Sequence, residues 1–91
     1  MAEEDVTMIG FVVLHYIAKE MTIECVDNLL QLFSREDIQI IIVDNASPND
    51  SGKELEWYYK NSQIVKVHIN RSNIGFARGN NTGFKILRPL N

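Results

Sequence analysis

Ile38-Gln39-Ile40-Ile41-Ile42-Val43-Asp44-Asn45-Ala46-Ser47-Pro48 is the stretch that decides the fold. Its first part, Ile38 to Val43, is almost unbroken aliphatic and rich in β-branched side chains, the pattern of a strand buried on both faces of a parallel sheet. The run stops at Asp44 and Asn45 and passes into Ala46, Ser47 and Pro48, residues of loops and turns. In open α/β sheets the carboxyl ends of the strands border the ligand crevice, so an acid placed there is a candidate to touch a ligand. Asp44 is the first residue singled out on that ground.

Upstream, Ile9 to Tyr16 (I-G-F-V-V-L-H-Y) reads as a first strand of the same buried kind, with His15 and Tyr16 where it ends. Between the two strands the periodicity turns helical, with Val26, Leu29, Leu30 and Phe33 spaced for one apolar face. Thr22 is expected to cap that helix, with Met21 and Val26 as its hydrophobic staple. Ser34 to Asp37 forms the polar link, and a strand, helix and strand so joined make a right-handed βαβ unit.

Downstream, Ser51-Gly52-Lys53-Glu54 has capping-box spacing and predicts a second helix running to about Asn61. Leu55, Tyr58 and Tyr59 are its expected buried stripe, with Trp57 beside it. Ile64 to Ile69 alternates apolar and polar residues, which puts Lys66 and His68 on the exposed face of a strand at the rim. A turn through Asn73 then leads to a third helix from about Gly75 to Leu87, in which Gly75, Gly79 and Gly83 recur every fourth residue. Glycine inside a helix costs about 1 kcal/mol relative to alanine, so some close approach along that stripe is expected to offset it. The order β-α-β-α-β-α predicts an α/β fold, a three-layer Rossmann-like α/β/α arrangement with a small parallel sheet, as one domain over residues 1–91.

Bulk properties narrow the function. Ninety-one residues suit one small domain but are few for a complete α/β enzyme. Nine Lys and Arg against twelve Asp and Glu give a net charge of −3, which offers no surface for nucleic acid or anionic membrane. Cys25, the one cysteine, is expected to be a small buried side chain in a reducing compartment. Met8 to Ala18 is too short to span a bilayer, and Glu3, Glu4 and Asp5 have the wrong sign for a signal peptide. A cytoplasmic protein is expected, so the Asn-x-Ser/Thr triplets at Asn45, Asn49, Asn70 and Asn80 are read as loop and cap composition. Residues 1–7, polar and acidic, are expected to fray.

Three local patterns resemble the amino-terminal half of the family 2 glycosyltransferases, which have the GT-A fold. They are Val12-Val13-Leu14-His15-Tyr16, Ile42-Val43-Asp44-Asn45-Ala46-Ser47, and Asn73-Ile74-Gly75-Phe76-Ala77-Arg78-Gly79-Asn80-Asn81-Thr82-Gly83-Phe84, in that order. The resemblance covers Val6 to Leu87, and the third pattern looks most like rhamnosyltransferase-type members acting on polysaccharides. It implies a domain that binds the nucleotide of a UDP- or dTDP-activated sugar. Tyr16 would lie against the base, Asp44 would accept a hydrogen bond from its imide N–H, and Arg78 would reach the base or the diphosphate. A pyrimidine 2,4-dione does present such a donor to a carboxylate.

His15 is a candidate phosphate contact, but with no Cys, Asp or Glu at ligand spacing it is read first as a partly exposed strand-end histidine; the likeness puts Asn45 where many relatives carry a second acid. Asn73 stands in the loop ahead of the third helix, as a cap or a ligand contact. A divalent metal, Mg or Mn, and a saccharide acceptor belong to the full-length enzyme that the resemblance implies. No Asp-X-Asp follows Arg78, so this chain is expected to be a truncated, catalytically incompetent portion that binds no cofactor itself. The family's strand order would also leave one edge of the first strand open, which predicts a homo-oligomer.

Two other readings are weighed against this one. A non-catalytic α/β interaction domain would use the Asp44 loop only structurally, with the carboxylate capping the amides that follow it. A dinucleotide-binding site is disfavoured, because the turn after the first strand, Ile17-Ala18-Lys19-Glu20, contains no glycine.

Overall fold

The computed structural model describes residues 9–33 and 37–87. The expected fraying of residues 1–7 and most of the Ser34 to Asp37 link lie outside that range. Three strands and three helices alternate: β1 (Ile9–His15), α1 (Lys19–Leu32), β2 (Ile38–Asp44), α2 (Ser51–Tyr58), β3 (Val65–Ile69) and α3 (Phe76–Leu87). The strands pair in the order β1-β2-β3, all parallel, and the register sets His15 opposite Asp44 and Asp44 opposite Ile69. All three strands therefore end at one level.

Alternation along the strands separates two layers of packing. Ile38, Ile40 and Ile42 of β2, with Phe11 and Val13 of β1, face α1 and α2 and meet Val26, Leu55 and Tyr59. On the other face α3 lies across β1 and β2 in three rungs: Leu87 over Gly10, Gly83 over Val12 and Gly79 over Leu14. A Cβ at Gly83 would come within 2.5 Å of Val12 Cγ1, and one at Gly79 within 2.5 Å of Leu14 Cδ1. This is the close approach that the glycine spacing predicted, and it is made to the sheet. Gly75 is not part of it: with φ at +86° it precedes the helix, and its carbonyl accepts the Gly79 amide at 3.0 Å.

Several local expectations fail for tertiary reasons. The first helix starts at Lys19, and Thr22 is buried inside it with its hydroxyl turned to His15, so it caps nothing. Met21 is 71% exposed and forms no staple. Cys25 is exposed on the flank of the stripe through Thr22 and Val26, contrary to the buried position expected. Ser51 likewise spends its hydroxyl on His15, and Asp50, in a left-handed conformation, occupies the cap position of α2. Tyr58 is 60% exposed beside an exposed Trp57, so Ser51, Gly52 and Leu55 form the helix's buried side, with Tyr59 just past its end. The first strand, expected to match β2 in burial, is only half-buried, since among the described residues it has one neighbouring strand.

Candidate functional site

The level strand ends gather the polar groups at the carboxyl edge of the sheet. Asp44 closes β2, and its backbone carbonyl accepts the Asn70 amide at 2.9 Å. Its Oδ1 accepts the Ser47 hydroxyl at 2.6 Å, and the Ser47 amide approaches both carboxylate oxygens, at 3.3 and 3.4 Å. The carboxylate lies against the α-carbon of Gly52, leaving no room there for a Cβ. It borders a cleft of about 230 Å³ that is also lined by Ser47, Asp50, Gly52, Lys53, Ile69 and Arg71. Asp44 is only 2% exposed, and its Oδ2, the oxygen that packs against Gly52, has among the described residues only the long Ser47 amide contact.

Asn45 is buried and its side chain acts inward. Its Nδ2 donates to the Gly75 carbonyl at 3.2 Å, while Oδ1 accepts the Ile74 amide at 3.0 Å. The residue thereby pins the loop before α3 to the end of β2. Asn73 acts within that loop: its Oδ1 accepts the Gly75 amide at 2.9 Å and sets the turn into the helix. Arg78 stands exposed in the first turn of α3, next to the Gly79 that touches Leu14.

His15 was expected to be a partly exposed strand-end residue, yet it is 1% exposed. Nδ1 is 2.6 Å from the Thr22 hydroxyl and Nε2 is 2.7 Å from that of Ser51, so both ring nitrogens are engaged. Burial holds the imidazole below its ordinary pKa, against the opposing pull of the Asp44 carboxylate, whose Oδ1 is 4.0 Å from Nε2. A ring so enclosed supports the Asp44 region from behind and presents no face to the cleft.

Tyr16 follows β1 and is 47% exposed, lining a separate groove with Val13, Leu14, Met21 and Cys25. After it the backbone turns through Ile17 at φ +70°, an unfavourable conformation for a β-branched residue. Two side chains from the β2–α2 loop hold it there: the Ile17 amide donates to Ser47 Oγ at 2.8 Å, and Asn49 Nδ2 donates to the Ile17 carbonyl at 3.0 Å. Ser47 thus bridges the Tyr16 turn and the Asp44 carboxylate.

Of the residues the sequence suggested, Asp44 alone lines the cleft; His15 and Asn45 are buried beside Asp44, Tyr16 lines the separate groove, and Asn73 and Arg78 are exposed outside the lining of either. The reading of the sequence passed over Ser47, Gly52, Lys53 and Arg71. A glycine and a lysine in the first turn after Asp44, and a cation just past the third strand, were the signals for them. Among the described residues no three metal-ligating side chains converge.

The model for glycosyl transferase family 2 matches residues 11–88, a span that takes in Asp44, its loop and all three helices. The uncharacterized glycosyltransferase EpsJ of Bacillus subtilis (strain 168) is 32% identical over 83 residues, covering 91% of this chain and 24% of that relative. The chain therefore spans about a quarter of the length of the curated relative it matches. Its parallel sheet with helices on both faces is the arrangement of the amino-terminal part of a GT-A fold. With the matched span extending over nearly all of the described structure, the chain belongs to glycosyl transferase family 2.

Proposed function

We propose that this chain is the nucleotide-binding portion of a glycosyltransferase that draws on a UDP- or dTDP-activated sugar, with Asp44 accepting the imide N–H of the pyrimidine. One observation carries the reading: a nearly buried carboxylate at the carboxyl end of the central parallel strand, bordering a cleft of about 230 Å³. Lys53 and Arg71 on the same cleft offer donors for phosphate oxygens, beside the carboxylates of Asp44 and Asp50. Tyr16 and Arg78 serve the base and diphosphate from the rim, and His15, Asn45 and Asn73 fix the loops around them.

Transfer to a saccharide acceptor, with a rhamnose-type donor and a divalent metal, belongs to the same proposal for the longer enzyme, and the chain alone is expected to bind without transferring. Among the described residues no helix is long and apolar enough to cross a membrane; a cytoplasmic setting is the proposed one. Self-association through the open side of β1, next to the groove holding Val13, Leu14, Tyr16 and Met21, completes the reading. A monomer in light scattering at high protein concentration would remove that last element alone.

Calorimetric titration with UDP and dTDP tests the central claim. Binding is expected, and Asp44→Asn, which keeps an oxygen for Ser47 but loses the charge, should weaken it about tenfold or more. No binding at millimolar nucleotide would favour a non-catalytic interaction domain, in which Asp44 serves only to accept the Ser47 hydroxyl and amide.

A further inference from the structure

The Asp44 carboxylate is held by its own loop on one side and by α2 on the other, and His15 connects the second contact to the rest of the fold. Ser51, hydrogen-bonded to His15 Nε2, immediately precedes Gly52, whose α-carbon abuts the carboxylate. Thr22, bonded to Nδ1, brings the start of α1 to the same ring. We infer that His15 is a positioning residue for the Asp44 site: its imidazole fixes the first turn of α2 against the carboxylate and so holds the Asp44 side chain in place at the border of the cleft. The inference rests on the reading of Asp44 as the acceptor for a nucleotide base.

A neutral imidazole has one donor nitrogen and one acceptor, so the hydroxyls of Thr22 and Ser51 must serve it in opposite senses. Protonation makes both nitrogens donors and forces one hydroxyl to reverse. It also places a positive charge 4.0 Å from Asp44 Oδ1. The groups facing the ring are Thr22 from α1, Ser51 from α2 and Asp44 from β2, and Asp44 is the charged one among them. An imidazolium would draw the carboxylate inward, away from Ser47 and from the cleft. Burial keeps the ring neutral near pH 7, the state in which Asp44 holds its contacts to Ser47.

Amide NMR signals of the 91-residue chain, followed from about pH 8 to about pH 5, read this coupling without a ligand. The signals of Gly52, Ser47 and Ile17 are expected to move with the midpoint of the His15 ring itself, and to stop doing so in His15→Gln. Uridine is the binding probe, because it is neutral and has no phosphate titrating in the same range. Its affinity should fall about tenfold as the ring protonates, the equivalent of one pKa unit of coupling, and His15→Gln should bind with a flat pH profile.

Gly52 and Ser47 signals that stay still while His15 titrates would overturn the inference, as would a uridine profile that His15→Gln leaves unchanged. If Asp44→Asn binds uridine as well as the parent does, the reading of Asp44 as base acceptor fails, and the amide titration still decides the positioning role. Should His15→Gln not fold, Ser51→Ala keeps the ring and cuts its link to α2. That variant should lose the Gly52 response, and a retained response would count against the inference.

Discussion

The two faces of the sheet are closed by opposite means. Toward α1 and α2, branched side chains fill the layer, with Ile38, Ile40 and Ile42 meeting Val26, Leu55 and Tyr59. Toward α3, backbone approaches side chain directly, with glycine on the helix over Val12 and Leu14 and glycine on the strand under Leu87. The first face gains from the volume it contains, the second from the volume it lacks. Substitutions that shrink a residue should therefore damage the first, and those that enlarge one should damage the second.

Ile40→Ala tests the filled face and should cost about 2–5 kcal/mol in denaturant unfolding, since the residue is fully buried. A loss below 1 kcal/mol would mean that this layer collapses onto the cavity. Gly83→Ala tests the closed face: the new methyl meets both methyls of the β-branched Val12 and lies 3.1 Å from Val43, neighbours that cannot easily withdraw. A net loss of about 1–3 kcal/mol is expected, despite the better helix propensity of alanine. Gly79→Ala sharpens the contrast, because its methyl meets the far end of Leu14, which can rotate aside. The gain in propensity should then bring the net change to within about 1 kcal/mol of zero.

Titration adds two smaller tests on the filled face. The folded chain holds His15 below the ordinary imidazole value of 6.5, so the unfolded chain binds more protons below that pH. Stability should fall as pH drops through 6.5 toward the depressed folded value, and His15→Gln should remove that part of the slope. Tyr59 behaves oppositely. Burial pushes its pKa from 10.0 up to about 12, so its contribution is complete below 10 and is lost as pH rises toward 12. Among the described residues its hydroxyl has no hydrogen-bond partner, so Tyr59→Phe should leave the melting temperature unchanged or raise it slightly and abolish the alkaline loss.

The architecture was legible because it rests on long signals. Six consecutive residues of β2 name a strand covered on both sides, and the alternation at Lys66 and His68 names a rim strand, which is where β3 lies. Asp44 was legible for the same reason, as the first polar residue after the run. Lys53 and Arg71 were not, since a cation in a helix turn or a loop looks like any solvated charge until the fold brings it to the cleft. Cys25 and Tyr58 were misjudged by a smaller margin, because a small rotation of a helix moves a flanking residue from core to surface.

Sequence alone determined the alternation of strands and helices, the parallel sheet and the acid at the end of its central strand, since those follow from the period and length of apolar runs. Tertiary structure decided what the short polar side chains do. Thr22 and Ser51 both read as helix caps in the sequence, yet Thr22 lies inside α1 and Ser51 is the first residue of α2, each with its hydroxyl on a buried imidazole. A buried ring nitrogen without a partner is costlier than an uncapped helix end, which water can still satisfy. No local pattern encodes that choice, because the histidine is seven residues from one hydroxyl and thirty-six from the other.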